Sequence, residues 1–426
     1  MKPKLVGLIL LPVGMVTSAM SQANLTLDEC LKLARQNSPA LRAANDAVRG
    51  SELSQGELST GSLPQLKGTL GGSYAPIPPS FGYDPVISNG GEIAGQIILQ
   101  QSLYDGGMRS VRHDQNLLDR DRLELERRRV ERDLMFAVEQ SFVEILRAHR
   151  ETALDHQSVD ELTAYDGLVQ RLFNGGGASY TDVLKTEVQL SNATVALQKA
   201  QEAELAARLS LAELIGTSVD TSVAVVGSLE TSSSDSMLVG EEITHNLDLT
   251  IAGLGIERGQ LDVELARRER MPKISFAGDA GYLSSIENLR LPSSDRVSAL
   301  GYSIGVGIEI PILNWGATDL RIEQRELEVD AQRQQVELLR RSVLSEVQKT
   351  RLALSNAGKR LQTLRSNLNK AEDNFLLTRS KYAGGGATSL EVLSAQQLLT
   401  ETRLDELETL ASIRFLTAKL KQLIVR

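Results

Sequence analysis

The sequence predicts a mixed fold that combines long α-helices with a few membrane-spanning β-strands in an internally duplicated chain. One order of sequence features runs twice along the 426 residues. Each copy contains a very long helical pattern and two stretches in which apolar and polar residues alternate. Aromatic residues make up only 4% of the chain, while Leu, Ala, Glu and Arg dominate long stretches, which is typical of extended helices.

The N-terminal segment is typical of a secretory signal peptide. Lys2 and Lys4 precede a short apolar run, and the small residues Ser21 and Ala23 stand where the peptidase needs them. We therefore predict a cleaved signal peptide over residues 1–23 and exclude it from the fold. The run is shorter than the ~20 apolar residues of a transmembrane helix, and no other stretch comes close to that length.

The duplication is clearest at two triple-glycine stretches. RLFNGGGASYTDVL at 171–184 returns as SKYAGGGATSLEVL at 380–393, shifted by 209 positions. Such self-similarity marks a repeated structural unit. We predict a first helix–strand–strand–hairpin repeat over 24–215, a Ser/Thr/Gly-rich linker over 216–239, and a second such repeat over 240–426.

Each repeat contains three predicted helical segments. They are an opening helix (25–59 and 241–270), a very long helix (about 108–173 and 317–382) and a returning helix (about 179–215 and 388–424). The long helix has a thin apolar stripe at heptad-like spacing, which indicates coiled-coil packing. At ~1.5 Å per residue it is on the order of 100 Å long. Opening and returning helices placed end to end have about the length needed to flank it.

Two strands are predicted in each repeat. Residues 273–282 and 302–310 alternate strictly between apolar and polar side chains, and 65–74 and 93–100 do so more weakly. Strands of this kind suit a transmembrane β-barrel, the one strand architecture that leaves no unpaired edge in lipid. An ordinary soluble sheet with one wet face is the alternative.

The number of strands requires oligomerisation if the barrel prediction holds. Four strands cannot close a barrel, because the smallest known have about eight. Two copies supply about eight strands around an interior filled by side chains. Three copies supply about twelve, which leaves room for a channel lined by small polar residues.

The order of motifs resembles the TolC-like outer membrane efflux protein family, also called outer membrane factors. The motifs are LTLDECLKLA at 25–34, LYDGG at 103–107, PILNWG at 311–316 and the two glycine turns. The resemblance covers essentially the whole mature chain. It implies a homotrimer whose 12-stranded barrel lies in the outer membrane and continues into an α-helical coiled-coil tunnel in the periplasm.

The resemblance also implies a function. Such a protein is a passive exit duct of a tripartite efflux pump or a type I secretion system. It works with a periplasmic adaptor (membrane fusion) protein and an inner-membrane transporter of the RND, ABC or MFS type. The exported substrate and the transporter class stay open, as does whether the duct is closed at rest.

The glycine turns are expected at the far periplasmic tip, where the adaptor binds. Glycine tolerates a positive φ angle, so the chain can reverse tightly at a helix end. The predicted turn residues are Gly175, Gly176, Gly177, Gly384, Gly385 and Gly386. A phosphate-binding loop is not indicated, because no Lys-Ser/Thr pair follows the glycines.

The resemblance further implies a gate at this tip. Asp182 and Tyr382 match residues that link neighbouring hairpins, and Glu391 matches an acidic position that lines the constriction. Ser394 replaces a second acid and Ala387 replaces an arginine of the latch, so we expect a weaker latch and a less cation-attracting entrance. Taken alone, Asp182 and Glu391 also fit plain first-turn acids, which stabilise the helix dipole by about 0.3–1 kcal/mol.

No catalytic set is apparent, and we predict neither enzyme activity nor a cofactor. The four histidines lack a His-Glu-x-x-His pattern, so no metal site is expected. The net charge of −9 and the absence of a basic stripe with aromatics argue against nucleic acid. Cys30 is the single cysteine, which excludes an intrachain disulfide. A hydrolase is therefore disfavoured, and the alternative to an outer-membrane duct is a non-conducting coiled-coil scaffold secreted into the periplasm.

Overall fold

The computed structural model describes residues 25–75, 90–217, 225–230, 246–287 and 298–424. The predicted signal peptide and most of the predicted linker lie outside the described residues. The helices are α1 (Leu27–Asn37), α2 (Pro39–Thr60), α3 (Met108–Asn174), α4 (Tyr180–Ile215), α5 (Leu247–Arg268), α6 (Ala317–Ala383) and α7 (Ser389–Ile424). The strands are β1 (Gln65–Ala75), β2 (Gly90–Tyr104), β3 (Lys273–Glu287) and β4 (Ser298–Glu309).

Equivalent helices of the two halves have equal lengths. α2 and α5 contain 22 residues each, α3 and α6 contain 67, and α4 and α7 contain 36. The predicted long and returning helices are confirmed to within one residue at each end. None of the helices described has the length and apolar composition that crossing a bilayer would require.

The prediction of one continuous opening helix over 25–59 was wrong. The structure divides this segment into α1 and α2 at Ser38, whose backbone is extended (φ −60°, ψ 119°). Pro39 follows, and its ring disfavours the helical conformation in the residue before it. Pro39 itself opens α2, where its missing N–H has no helical partner to lose.

The described residues divide into two compact units, and each unit contains segments of both sequence halves. The described part of unit 1 comprises 25–38, 134–217, 225–230 and 352–419. The described part of unit 2 comprises 39–75, 90–133, 246–287, 298–351 and 420–424. A compact unit in this chain is therefore distinct from a sequence repeat.

Unit 1 contains a core between α1, α3 and α4. Cys30, Ile145 and Leu211 are fully buried there. Burial raises the pKa of the Cys30 thiol to about 11. Residues 225–230 of the predicted linker pack onto this core, and a Cβ on Gly227 would lie 2.9 Å from a methyl carbon of Leu146. This part of the linker is therefore held against α3.

Two equivalent asparagines join the opening and returning helices. In unit 1 the Asn37 side-chain amide donates to the carbonyl of Ile215, the last residue of α4, at 2.9 Å. In unit 2 the Asn246 amide donates to the carbonyl of Leu423 near the end of α7, also at 2.9 Å. Both bonds satisfy a carbonyl that a helix end leaves without a partner. They agree with the predicted end-to-end arrangement.

Unit 2 contains one antiparallel sheet with the strand order β1-β2-β3-β4. Its register places Leu66, Leu99, Gly278 and Ile304 in one row across the sheet. The next row contains Lys67, Ile98, Asp279 and Ser303, and Ser303 donates a hydrogen bond to Asp279. Because side chains alternate between faces, one face is mainly aliphatic and the other mainly small or polar. The predicted alternation is confirmed.

Candidate gate at the helical hairpin ends

Each triple glycine closes the end of a long helix in unit 1. Gly176 and Gly385 have positive φ angles of 78° and 76°. The following N–H groups, of Gly177 and Gly386, donate to carbonyls of the last helical turn at 2.7 and 2.8 Å. This pattern satisfies carbonyls that the helix leaves open. Of the six predicted turn glycines, Gly176 and Gly385 are the two whose backbone conformation demands glycine.

The two predicted acidic residues stabilise the starts of the returning helices. At α4 the backbone N–H of Ser179 donates to Asp182, and the N–H of Asp182 donates to the Ser179 hydroxyl, at 3.1 and 3.2 Å. At α7 Thr388 and Glu391 make the same reciprocal bonds at 2.7 and 3.3 Å. Both pairs are capping boxes. The helix-stabilising role weighed for these acids is therefore present in the structure.

Glu391 is exposed and keeps its charge to lower pH than an ordinary glutamate. The Thr388 backbone N–H is the main cause of its lowered pKa, followed by the Thr388 hydroxyl and the charge of Lys381. Hydrogen bonds to the ionised form favour that form. A negative charge is thus held in the first turn of α7.

Tyr382 is buried in an apolar cluster between the two hairpins of unit 1. Its ring lies 5.5 Å from the ring of Tyr165 at 58°, a tilted arrangement favourable for aromatic pairs. The other members of the cluster are Val169, Val183, Ala371, Phe375, Val392, Ala395 and Leu399. The Tyr382 hydroxyl lies near those of Tyr165 and Ser389 but makes no hydrogen bond with any described residue. A buried hydroxyl without a partner is costly.

Asp182 acts electrostatically on both tyrosines. Burial is the main cause of the raised pKa of Tyr382, and the negative charge of Asp182 raises it further. The pKa of Tyr165 is raised in the same way, mainly by burial and in part by Tyr382 and Asp182. The fold therefore brings Asp182 and Tyr382 into one neighbourhood within a single chain. Glu391 lies outside their cluster, bonded to Thr388.

Two residues of this cluster were not found from the sequence. The Tyr165 hydroxyl donates to Ser389 Oγ at 3.1 Å, and both side chains are almost fully buried. Position 165 corresponds to Asn374 in the other half, so the repeat comparison gives no signal for it. Ser389 corresponds to Tyr180 in the first half. This difference between the two repeats is the sequence feature that could have pointed to Ser389.

The two hairpin ends differ in what they expose. Phe173 occupies the position equivalent to Tyr382 and lies 5.9 Å from the ring of Tyr180. Tyr180 is 62% exposed, whereas Tyr382 is 7% exposed. Hence the first hairpin presents an aromatic pair at its surface, while the second encloses its tyrosine.

A shallow groove of about 450 Å³ runs between α4 and α7 beside the glycine turns. Its lining residues are Thr181, Leu184, Lys185, Val188, Gln189, Leu390, Leu393, Ser394 and Gln397. Ser394, which stands in place of the second acid of the family, is exposed in this groove. Ala387, which stands in place of the arginine of the latch, packs against the tyrosine cluster. No cluster of potential metal ligands occurs in the described parts of the chain.

The chain matches a family of known proteins over most of its length. The family model described as "Outer membrane efflux protein" matches residues 30–217 and 238–424. The pyoverdine export outer membrane protein OpmQ of Pseudomonas aeruginosa is 25% identical over 384 residues, covering 88% of this chain and 79% of that protein. The outer membrane efflux protein BepC of Brucella suis is 21% identical over 412 residues, covering 94% and 85%.

Solved structures show the same fold. The outer membrane protein VceC from Vibrio cholerae superposes with a TM-score of 0.75 at 16% sequence identity, covering 93% of this chain and 95% of that one. At this identity the likeness concerns the fold.

Proposed function

This chain belongs to the outer membrane efflux protein family, and from that membership we propose that three copies assemble into an exit duct across the outer membrane. The resemblance and the fold class predicted from the sequence are confirmed, and the protein is an outer-membrane component of efflux or secretion. The number of copies, the partners and the gate belong to the proposal.

The open sheet of unit 2 is the observation that supports assembly. β1 and β4 are its two edges, and neither has a second partner strand among the described residues. The large apolar side chains on the mainly aliphatic face of β4 are more than half exposed, including Tyr302, Ile304 and Ile308. Unpaired strand edges are prohibitive in lipid, so the edges must be paired by other copies. Pairing β4 of one copy with β1 of the next closes the sheet.

The bore follows from the number of strands and from the polar face. A barrel of about twelve strands leaves an aqueous interior, whereas one of about eight is filled by side chains. Glycine, serine and glutamine predominate on the face opposite the aliphatic one, as in the row of Thr69, Gln96, Gly281 and Gly301. We therefore place this face toward the bore and the aliphatic face toward lipid.

The duct is passive in this proposal, and its partners supply energy and cargo. A periplasmic adaptor docks on the hairpin ends around Gly175–Gly177 and Gly384–Gly386, and an inner-membrane transporter of the RND, ABC or MFS type loads the substrate. The groove between α4 and α7 suits helical partners, because three leucines and one valine line it beside polar residues. No catalytic step and no cofactor is assigned to the chain.

The gate combines an acidic ring with a latch between copies. Glu391 is exposed and ionised, so three copies place like charges around one axis, which attracts cations. Tyr382 supplies an unpartnered hydroxyl, and a carboxylate such as Asp182 of a neighbouring copy is a suitable acceptor. Closure of the tip then depends on rearranging the tyrosine cluster.

The test is extraction and conductance of the full-length protein. Outer-membrane fractions are solubilised in detergent, the molar mass is measured by light scattering, and the same sample is reconstituted into planar bilayers. We expect trimers that resist heating in dodecyl sulfate and discrete conductance steps. A monomer that dissolves without detergent would favour the secreted scaffold, and trimers without conductance would remove the duct.

A further inference from the structure

The segment between β4 and α6, residues 310–316, carries the two most exposed large apolar side chains described in unit 2. We call it the β4–α6 junction. Ile312 is 92% exposed and Trp315 is 88% exposed, and Leu313 is also exposed. Trp315 is the single tryptophan of the chain. A large indole left in water on one copy marks a surface that something else covers.

The backbone of Trp315 is in an unfavourable conformation. Its φ angle is 53°, and no other non-glycine residue in the described part of the chain has a positive φ. Side chains with a Cβ disfavour this left-handed region. Strain of this kind persists when the surroundings compensate for it. Within the single copy the indole itself contributes little to such compensation, because it is 88% exposed.

The equivalent segment of the first half shows where such a junction packs. Gly106 is the counterpart of Trp315 and also has a positive φ, of 74°. A Cβ at Gly106 would lie 2.7 Å from the Cβ of Met271 and 3.1 Å from the carbonyl of Arg268. The junction after β2 is therefore pressed against the junction between α5 and β3, which belongs to the other half.

The duplication and the strand order define the corresponding partner of Trp315. Met271 and Pro272 correspond to Leu63 and Pro64, between α2 and β1, and Leu63 is 57% exposed. β1 and β4 are opposite edges of the sheet. When β4 pairs antiparallel with β1 of the next copy, the end of β4 lies beside the start of β1. The two junctions thus meet only between copies.

We propose that Trp315 seals the seam between copies by packing its indole on the Leu63–Pro64 junction of the next copy. This inference rests on the proposed trimer. It adds a residue that joins neighbouring copies at the β4–α6 junction, where the strands meet the helices. Inside one copy, the equivalent contact between the junction after β2 and the junction before β3 is a direct approach of the backbone at Gly106. Between copies the seam is closed by a side chain, which supplies apolar contact area that a glycine cannot.

The first experiment uses the single tryptophan as the probe. The protein is reconstituted into vesicles of brominated phosphatidylcholine, and its oligomeric mass is measured in the same preparation. We expect trimers whose emission is blue-shifted relative to the unfolded chain and is not quenched by the bromine atoms. Strong quenching in intact trimers would assign Trp315 to lipid and overturn the seal while leaving the duct in place. Monomers would overturn both.

The second experiment tests proximity. Leu63→Cys and Trp315→Cys are combined in the full chain, with the buried Cys30 left unchanged. Oxidation should link copies into covalent dimers and trimers on a denaturing gel without reductant. Neither single variant should form a covalent trimer, nor should a control pair in which Leu53→Cys, on α2, replaces Leu63→Cys. Trimers that remain unlinked would refute the contact.

The third experiment separates the contact of the indole from the backbone strain at Trp315. Loss of the contact should lower the heat resistance of the trimer, whereas relief of the strain should raise it. Trp315→Gly restores the residue found at position 106 and removes the left-handed strain. Without a contact at the indole, this variant should form trimers at least as heat-resistant as the parent. The seal predicts instead that trimers dissociate at a lower temperature in dodecyl sulfate, with Trp315→Phe between the two.

Discussion

The hydroxyl of Tyr165 donates to Ser389 Oγ at 3.1 Å, and this bond joins the long helix of one hairpin to the returning helix of the other. It lies against Tyr382, whose ring is held 5.5 Å from that of Tyr165. The arrangement keeps Tyr382 inside its own copy. Any bond from Tyr382 to a neighbouring copy therefore competes with the packing around Tyr165.

Tyr165→Phe removes this bond and keeps the ring. Because the Ser389 hydroxyl is buried, we expect the loss to destabilise the protein by about 1–3 kcal/mol. Denaturant unfolding followed by the helical circular dichroism signal measures it. Tyr180→Phe is the matched control, since Tyr180 is 62% exposed and its hydroxyl should contribute little. Equal effects of both variants would contradict the assigned role.

Asp182→Ala should raise single-channel conductance in planar bilayers, because it removes the acceptor proposed for the tyrosine latch. Asp182 also caps α4, so the variant alone does not separate the two roles. Ser179→Ala breaks the same capping box from the other side and keeps the carboxylate. We expect Ser179→Ala to lower stability by about 1 kcal/mol and leave conductance unchanged. Conductance that is unchanged in Asp182→Ala would remove the latch.

Glu391→Gln should lower the cation preference of the pore, measured as the reversal potential in a salt gradient. Glu187→Gln, an exposed acid two helical turns along α4 from the hairpin end, is the control and should behave like the parent. A reversal potential identical to the parent in Glu391→Gln would refute the acidic ring.

The pH dependence of that preference follows from the lowered pKa of Glu391. Thr388 stabilises the ionised carboxylate and so lowers the pKa of Glu391, which therefore loses its charge at a lower pH than a glutamate without these bonds. We expect the cation preference to be lost at a lower pH than the titration of a free carboxyl would give. Thr388→Ala, which removes the hydroxyl bond, should shift the loss to higher pH. An unshifted titration would show that the Thr388 hydroxyl does not act on the gate.

The thiol of Cys30 should resist modification. Its folded pKa is raised to about 11 because burial disfavours the thiolate, which is the reactive form. The folded pKa of Cys30 lies above its unfolded value, so the protonated thiol favours the folded state. This contribution to the free energy of unfolding is fully present below the ordinary thiol pKa and is lost as pH rises toward 11. Maleimide labelling at neutral pH should require unfolding. Rapid labelling of the native protein would place Cys30 at the surface.

The parts of the fold that could be predicted from the sequence are those that depend on local pattern. The long helices follow from heptad-like spacing, and their ends follow from Gly176 and Gly385, where the backbone needs glycine. Pro39 also indicates a helix break, because a proline disfavours the helical conformation of the residue before it. The prediction missed this break because helical periodicity continues on both sides. The two strands of the first half alternate more weakly than those of the second and were predicted as strands of the same type.

In the candidate site, the acids at the starts of α4 and α7 could be predicted from the sequence, but the buried cluster around Tyr382 could not. Asp182 and Glu391 follow recognisable capping patterns, Ser-x-x-Asp and Thr-x-x-Glu. The cluster of Tyr165, Ser389 and Tyr382 depends on how two hairpins pack, which joins residues 224 positions apart in sequence. No periodicity within one helix encodes that pairing, so tertiary contacts had to reveal it.

Asn37→Ala and Asn246→Ala should each destabilise the unit in which the asparagine lies, but to different extents. Each amide satisfies the end of a returning helix at 2.9 Å, and its loss leaves a carbonyl without that bond, which costs about 1 kcal/mol. Asn246 is also the N-cap of α5, where its side-chain oxygen accepts from the Leu249 N–H at 3.1 Å. Loss of a cap adds about 0.5–2 kcal/mol.

Asn246→Ala should therefore be the more destabilising, and hydrogen exchange at the starts of α2 and α5 measures it locally. Asn246→Asp keeps an acceptor for the cap but turns a second oxygen toward the Leu423 carbonyl in a buried site, so it should not restore the parent stability. Equal protection losses in Asn37→Ala and Asn246→Ala would show that the cap contributes nothing.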